Sequence, residues 1–284
     1  MNRLSIILPA KNEAQALLNL LPRLREAQPD AEIIVVDDGS TDTTREVCAH
    51  AGVTCLSSPY SMGNGAAIKR GARAASGDLL VFMDGDGQHD PADIARLLEA
   101  LAQGYDMAIG ARDWSSQAGV GRGVANTLYN WLATRMTGHQ VADLTSGFRA
   151  VRAEKFREFL YLLPNGFSYP TTSTMAFFRS AYPVVYVPIK AAQRVGKSHI
   201  KPLRDGVRFL LIIFKIATLY SPLKLFVPTS VAFFLAGCAN YAATFLSQGR
   251  LTNGSTMLWS AAVVVFLIGL VSEQITALMY RRND

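Results

Sequence analysis

Short apolar runs alternate with amphipathic stretches along the first part of the chain. Leu4–Leu8, Glu32–Asp37, Val53–Leu56, Leu79–Met83 and Tyr105–Gly110 have the length and composition of buried strands. Between them, Ala14–Glu26, a stretch ending near His50, one running from the Ser61–Gly65 turn through Ala75, and Pro91–Gln103 carry helical spacing. Strand and helix in alternation predict an α/β fold, a mostly parallel sheet with crossover helices. Ligands of such sheets bind beyond the carboxyl ends of the strands. That rule collects Glu13, Asp37, Asp38, Asp84, Asp86 and Arg112 on one rim. The middle of the chain is less regular, with a helix over about Val120–Thr137, a loop holding Asp143–Arg149, and short pieces up to Val187.

Past Pro202 the pattern changes. Leu203–Tyr220 is mostly apolar, with Arg204, Arg208 and Lys215 at helical spacing. This predicts a helix lying in a membrane surface with its cations toward lipid phosphates, although a buried helix with one wet edge would read the same way. Two further runs, Leu225–Leu246 and Met257–Met279, approach the roughly 20 residues that cross a bilayer as a helix, and the polar link Ser247–Thr256 makes them a hairpin. Lys224 and Arg281–Arg282 flank the outer ends while the link carries only Arg250, so both outer ends are expected in the cytoplasm. Glu273, near the end of the second run, fits either a snorkelling interfacial residue or a contact inside a homo-oligomer.

Composition agrees with an integral membrane protein. Hydrophobic residues make up 50% of the chain and charged residues 18%, high and low for a purely soluble protein. The net charge of +6 has its basic residues gathered over about 190–224, which favours anionic lipid or phosphate. No nucleic-acid motif accompanies them, so nucleic acid is not an expected partner. Cys48, Cys55 and Cys238 are scattered and read as reduced structural thiols. Leu4–Leu8 is too short an apolar run for a signal peptide, so the N-terminal domain is expected to stay in the compartment where it is made.

The chemistry concentrates at Asp84-Gly-Asp86-Gly-Gln88-His89-Asp90-Pro91, where an apolar strand stops at two carboxylates on a glycine-punctuated turn. Asp90-Pro91 reads as a helix cap and first-turn pair. Asp84 and Asp86 serve no helix, and carboxylates at i and i+2 can aim at one hard cation such as Mg²⁺ or Mn²⁺, which keeps positions open for substrate phosphates. Gly63-x-Gly65 has Ile68 where a dinucleotide fingerprint needs its third glycine, and no phosphate-loop signature with Gly-Lys-Ser/Thr occurs.

Six motifs in order, Pro9-Ala-Lys-Asn-Glu13, Asp37-Asp-Gly-Ser-Thr-Asp42, Gly63-Asn-Gly-Ala-Ala67, Asp84-Gly-Asp-Gly-Gln-His89, Gly110-Ala-Arg112 and Thr145-Ser-Gly-Phe-Arg149, resemble the inverting family-two glycosyltransferases. Their order is similar to that of the dolichol-phosphate-mannose synthase-like branch, whose members make polyprenyl-phosphate sugars. The resemblance implies a GT-A type, Rossmann-like domain over 1–200, followed by the juxtamembrane helix 201–222 and the transmembrane hairpin 223–284. It implies donor contacts from Pro9, Asn12, Glu13, Asp38, Gly65, Asp84 and Gln88, with Asp38 taking the base or ribose and Asp84 and Asp86 holding the metal. Catalytic roles fall to Asp86, Arg112, Asp143 and Arg149. The acceptor phosphate is assigned to Ser146, Arg149, Arg194, Lys197, Ser198 and Lys201. The late string Arg194-Val-Gly-Lys-Ser-His-Ile-Lys201 shortens the branch's Arg-x-x-Gly-x-Ser-Lys element, so either Lys197 or Lys201 takes the place of its phosphate-binding lysine.

A polyprenyl phosphate is already an anion at neutral pH and needs no strong general base. Many relatives that attack with a hydroxyl show a Glu-Asp pair in the middle of the chain, where this sequence offers Leu144-Thr-Ser-Gly-Phe-Arg149. Asp143 is left as an orienter of Arg149, a weak base or a loop-initiating residue. The expected activity is transfer of a sugar, with inversion, from a UDP- or GDP-linked donor to a polyprenyl phosphate at the cytoplasmic face of the cell membrane. A diacylglycerol-type acceptor, or a catalytically silent scaffold in a lipid-glycan pathway, are the rival readings. His89 fits either a phosphate or metal contact or a helix-approach residue.

Overall fold

The computed structural model describes residues 3–112, 120–166, 168–190, 211, 214, 218 and 220–280. Arg194, Lys197, Ser198 and Lys201, and Arg204, Arg208 and Lys215 of the expected surface helix, lie outside the described residues. The chain divides into two compact units, Met1–Phe209 and Leu210–Asp284.

The first unit is built on β1 (Leu4–Ala10), α1 (Ala14–Ala27), β2 (Glu32–Asp37), α2 (Thr44–His50), β3 (Thr54–Ser57), α3 (Asn64–Ala74), β4 (Leu79–Phe82), α4 (Asp93–Ala102) and β5 (Met107–Arg112). It continues with α5 (Val120–Thr137), β6 (Arg149–Arg152), α6 (Ala153–Arg157), α7 (Tyr169–Arg179) and β7 (Val184–Ile189). The strands form one sheet in the order β3-β2-β1-β4-β6-β5-β7. Ile6, Ile7 and Leu8 at its centre have no exposed surface, as expected of a parallel strand covered on both faces. On α1, Leu17, Leu20, Leu21 and Leu24 form the buried stripe, one face of a 3.6-residue period.

The sheet is mixed. β1 runs parallel to β2 and β4, β2 to β3, and β5 to β7, but β6 is antiparallel to both β4 and β5. Arg149, expected in a loop, is the first residue of β6, paired with Phe82 on one side and Ile109 on the other. Insertion of β6 brings the segment just before it, 143–148, to the carboxyl ends of β4 and β5.

In the second unit, α8 (Leu223–Gln248) and α9 (Asn253–Met279) are long and apolar enough to cross a membrane. Only 6% and 17% of their apolar windows are buried, which sets them apart from core helices. Their contact is made by small residues seven apart on α9: Ser255, Ala262, Gly269 and Thr276 are its buried positions. A β-carbon on Gly269 would stand 2.5 Å from Phe226, so the helices approach there as closely as glycine permits. Polar bonds fasten both ends. Asn240 Oδ1 accepts from Ser255 Oγ at 2.9 Å and Thr252 Oγ1 at 3.2 Å near the link. At the open end Glu273 accepts from the Leu223 backbone N–H and from Ser221 Oγ, both at 3.3 Å. Within its own hairpin, the Glu273 carboxylate receives the first backbone donor of the neighbouring helix.

Candidate active site

The rim loops hold one another before they hold anything else. Asn12, in a left-handed conformation, donates its N–H to Ser40 Oγ at 2.9 Å and accepts from the Thr41 N–H at 2.8 Å, tying the loop after β1 to the loop after β2. Asp37 is buried and accepts from the Ser40 N–H and from Arg45 Nε, both at 2.8 Å. Asp38 accepts from Ser61 Oγ at 2.6 Å, the Met62 N–H at 2.6 Å and the Gly63 N–H at 2.9 Å. Burial pushes the Asp38 carboxyl up, but these donors outweigh it and hold it below the ordinary carboxylate range.

Between these loops and the end of β4 opens a cavity of about 460 Å³, lined among others by Pro9, Lys11, Glu13, Asp38, Asn64, Asp84 and Asp86. Pro9, Glu13, Asp38, Asp84 and Asp86 thus meet in one place. Asn12, Gly65 and Gln88 do not line it: Asn12 is the stitch described above, and the Gln88 N–H donates to Asp86 Oδ1 at 3.1 Å, shaping the turn that carries Asp86. Gly65 serves packing. A β-carbon there would lie 2.0 Å from the Pro164 carbonyl oxygen, and the Gly65 N–H donates to the Gly166 carbonyl at 3.2 Å. Gly65→Ala is therefore expected to force α3 off the 164–166 loop at a cost of about 1–3 kcal/mol, the range for overpacking, readable as a lowered unfolding temperature. An unshifted unfolding temperature would show that the loop yields freely.

Lys11 and Asn64 were missed by sequence reasoning as site residues, although Lys11 sits inside the first motif. Among the described residues, Lys11 is the one cation lining a cavity that carries four carboxylates. An anionic nucleotide diphosphate entering it meets net repulsion unless a cation comes with it. Among the described residues no three His, Cys, Asp or Glu side chains cluster closely enough to hold a metal alone. Two carboxylates with the remaining positions supplied by water and substrate phosphate is the coordination that Mg²⁺ adopts readily, so Asp84 and Asp86 fit the ion.

Behind them, Arg112 at the end of β5 grips Asp143 with both arms of its fork, Nε to Oδ2 at 2.8 Å and Nη2 to Oδ1 at 3.1 Å, while Nη2 also reaches Thr145 Oγ1 at 2.8 Å. Burial opposes the charge on each partner, yet the pairing prevails on both: Arg112 is raised and Asp143 lowered. The expectation that Asp143 orients Arg149 is corrected, because its carboxylate belongs to Arg112. An acid held ionised this firmly is a poor proton acceptor near neutral pH.

Arg149 and Ser146 are placed differently from what an acceptor-phosphate contact requires. Arg149 has no exposed surface, and Ser146 is 1% exposed. Arg149 Nη1 donates to the Pro170 carbonyl at 3.0 Å, Ser173 Oγ at 2.8 Å and Thr174 Oγ1 at 3.1 Å, all on α7, and Nη2 donates to the Ser146 carbonyl. Desolvation lowers its pKa. His89 is also inside, stacked on Phe148 at 4.9 Å between ring centroids, and burial brings its pKa down to about 4, so the ring is neutral at physiological pH.

Comparison with known proteins agrees with this architecture. The model of the family "Glycosyl transferase family 2" matches residues 5–160, and that of the "GtrB C-terminal hairpin" matches residues 221–278. The chain is 31% identical to an undecaprenyl-phosphate mannosyltransferase of Micrococcus luteus over 211 residues, 69% of this chain and 86% of that one. It is 29% identical to a polyprenol monophosphomannose synthase of Mycolicibacterium smegmatis, over 68% and 78% of the two chains. Among solved structures, glucosyl-3-phosphoglycerate synthase from Mycobacterium tuberculosis, in complex with Mn²⁺, UDP and glucosyl-3-phosphoglycerate, superposes with a TM-score of 0.61 at 21% identity, covering 76% of this chain and 80% of that one. At that identity the likeness concerns the fold, a GT-A type domain.

Proposed function

Since the chain belongs to glycosyl transferase family 2, we propose that it transfers a sugar from a nucleotide-sugar donor to a polyprenyl phosphate at the cytoplasmic face of the cell membrane, giving a polyprenyl-phosphate sugar. The observation that carries this reading is the acidic cavity at the strand ends, whose Asp84 and Asp86 suit a cation-bound diphosphate, in a chain that also has a membrane-type hairpin. Relatives named for undecaprenyl phosphate and polyprenol acceptors support the lipid side.

The donor's nucleoside would lie along the Pro9–Glu13 and Asp38 wall, with its diphosphate toward Asp84 and Asp86. A bound Mg²⁺ or Mn²⁺ supplies charge neutralisation for the leaving diphosphate. Arg112, its guanidinium fixed by Asp143 and Thr145, adds a preorganised positive charge close by. The acceptor phosphate attacks the anomeric carbon from the face opposite the leaving group, which inverts that centre. Its oxygen is ionised beforehand, so the Arg112-bound Asp143 has no proton to take. The basic segment holding Arg194, Lys197, Ser198 and Lys201 is assigned to the acceptor phosphate, and Arg112 would sit by the phosphates of the reacting pair. Lys224, Arg281 and Arg282 against the single Arg250 support a cytoplasmic location for both hairpin ends.

The test is to incubate the purified full chain in detergent with undecaprenyl phosphate, Mn²⁺ or Mg²⁺, and separately UDP-glucose, UDP-galactose, UDP-N-acetylglucosamine and GDP-mannose, reading lipid products by mass spectrometry. A polyprenyl-phosphate sugar from one donor is expected. Donor binding without lipid product from any of the four would overturn the acceptor assignment.

A further inference from the structure

Gly147 faces the Asp84 carboxylate with less than a methyl group's clearance. A β-carbon built on it would be 3.1 Å from Asp84 Oδ2, 3.5 Å from Oδ1 and 3.3 Å from the Tyr169 hydroxyl. The peptides on both sides of this glycine are fastened from beneath. The Ser146 carbonyl accepts from Arg149 Nη2, and the Gly147 carbonyl accepts from the Tyr169 hydroxyl at 3.0 Å. The two fasteners support each other, since the Arg149 guanidinium lies 5.7 Å from the centre of the Tyr169 ring and is tied by its other arm to Ser173 and Thr174 on α7.

We propose that Arg149 and Tyr169 are positioning residues for the cation site: through the Ser146–Gly147 backbone they form a rigid wall that fixes the Asp84 carboxylate in its metal-holding orientation, and Arg149 does not contact the acceptor phosphate. Three observations carry this. Arg149 has no exposed surface, and both of its terminal nitrogens are engaged with protein acceptors. Its hydroxyl partners come from an α7 whose residues Thr171 to Thr174 are all buried, so α7 is a fixed platform. The space between the wall and the carboxylate is smaller than a methyl group, since a β-carbon on Gly147 would stand 3.1 Å from Asp84 Oδ2, so a shift of the wall changes the room in which the Asp84 carboxylate can turn. Groups that orient metal-holding carboxylates commonly act this way, and their loss lowers metal affinity without removing a ligand.

This inference rests on the transferase reading for the identity of the ligand, but its deciding readout, Mn²⁺ affinity, does not need turnover. Mn²⁺ binding to the purified full chain would be followed by electron paramagnetic resonance, in the presence of UDP and separately of GDP, for the wild type and for Tyr169→Phe, Arg149→Lys and Gly147→Ala. Tyr169→Phe removes only the bond to Gly147, and lysine keeps the charge of Arg149 but cannot serve Ser146 and α7 together. Mn²⁺ affinity is expected to fall roughly tenfold or more in Tyr169→Phe and Arg149→Lys, at temperatures where each is folded, with the KM for undecaprenyl phosphate unchanged. Wild-type Mn²⁺ affinity in a folded Tyr169→Phe protein would overturn the proposal, as would an Arg149→Lys protein whose acceptor KM rises while its Mn²⁺ affinity holds. Should Arg149→Lys fail to fold, Tyr169→Phe and Gly147→Ala decide between these outcomes. Absence of a lipid product from the wild type would instead count against the transferase reading and leave the Mn²⁺ comparison standing.

Discussion

Asp86→Asn is expected to lower turnover at least roughly a hundredfold while leaving the protein folded. Asparagine keeps an oxygen in the place where Asp86 Oδ1 now accepts the Gln88 N–H at 3.1 Å, so the turn after β4 should survive. What disappears is a negative charge in a cavity built from Glu13, Asp38, Asp84 and Asp86. If the proposed cation is held by Asp84 and Asp86, losing one of two hard carboxylates removes much of its binding and, with it, several kcal/mol of charge stabilisation for the leaving diphosphate. At about 1.4 kcal/mol per tenfold, that amounts to two or more powers of ten. The measurement is turnover against Mn²⁺ concentration alongside an unfolding curve. Wild-type turnover at an unchanged half-saturating Mn²⁺ would remove Asp86 from the metal site.

Asp143→Asn should carry the largest cost in stability. The pair Arg112–Asp143 is short, at 2.8 Å, and lies mostly inside, with side-chain exposures of 27% and 2%. Deleting one charge of such a pair leaves the other uncompensated, a loss of about 3–5 kcal/mol for fully buried pairs; the remaining exposure of Arg112 puts this one near about 3 kcal/mol. The pH dependence has a definite sign. Asp143 is lowered below its ordinary value in the folded protein, so its contribution is complete above the unfolded carboxylate value of about 4 and is lost as pH falls through the lower folded value. Wild type and Asp143→Asn should therefore differ by a constant amount from pH 7 to about 5 and converge in stronger acid. Unfolding midpoints taken over that range decide it, and equal midpoints at pH 7 would contradict the pairing. Because Arg112 also loses its orientation, turnover should fall in the same variant.

The parts of the fold that could be read in the sequence are those whose signal is local. β1, β2 and β4 are apolar runs closed by polar turns, and the observed limits differ from the expected ones by two residues or fewer. Both membrane-type helices announce themselves by length. Pro9, Glu13, Asp38, Asp84 and Asp86 were legible for a different reason: the strand ends of a parallel sheet form one rim whatever the helices do between them. The failures involve distant partners. Arg149 reads as a free cation in a polar string, and nothing near it announces that hydroxyls 24 and 25 residues later will enclose it. Asp143 stands six residues before Arg149 in sequence, but its fork partner lies 31 residues back, a match made by β5 and the inserted β6. Gly65 looks like part of a ligand-binding turn until the Pro164 carbonyl comes into view against it. The antiparallel direction of β6 had no signature either, since four residues beginning and ending in arginine do not resemble a central strand.

The fastening of the hairpin at both ends bears on membrane thickness. Helices of 26 and 27 residues are roughly 40 Å long at about 1.5 Å per residue, against a hydrocarbon layer of about 30 Å. The surplus must be met by tilt or by extension into the headgroup region. A hairpin held only at its link could meet it by letting one leg lean more than the other. With Glu273 closing the open end and Asn240 the linked end, the legs have to lean together, and a change of bilayer thickness turns the hairpin as a single rod.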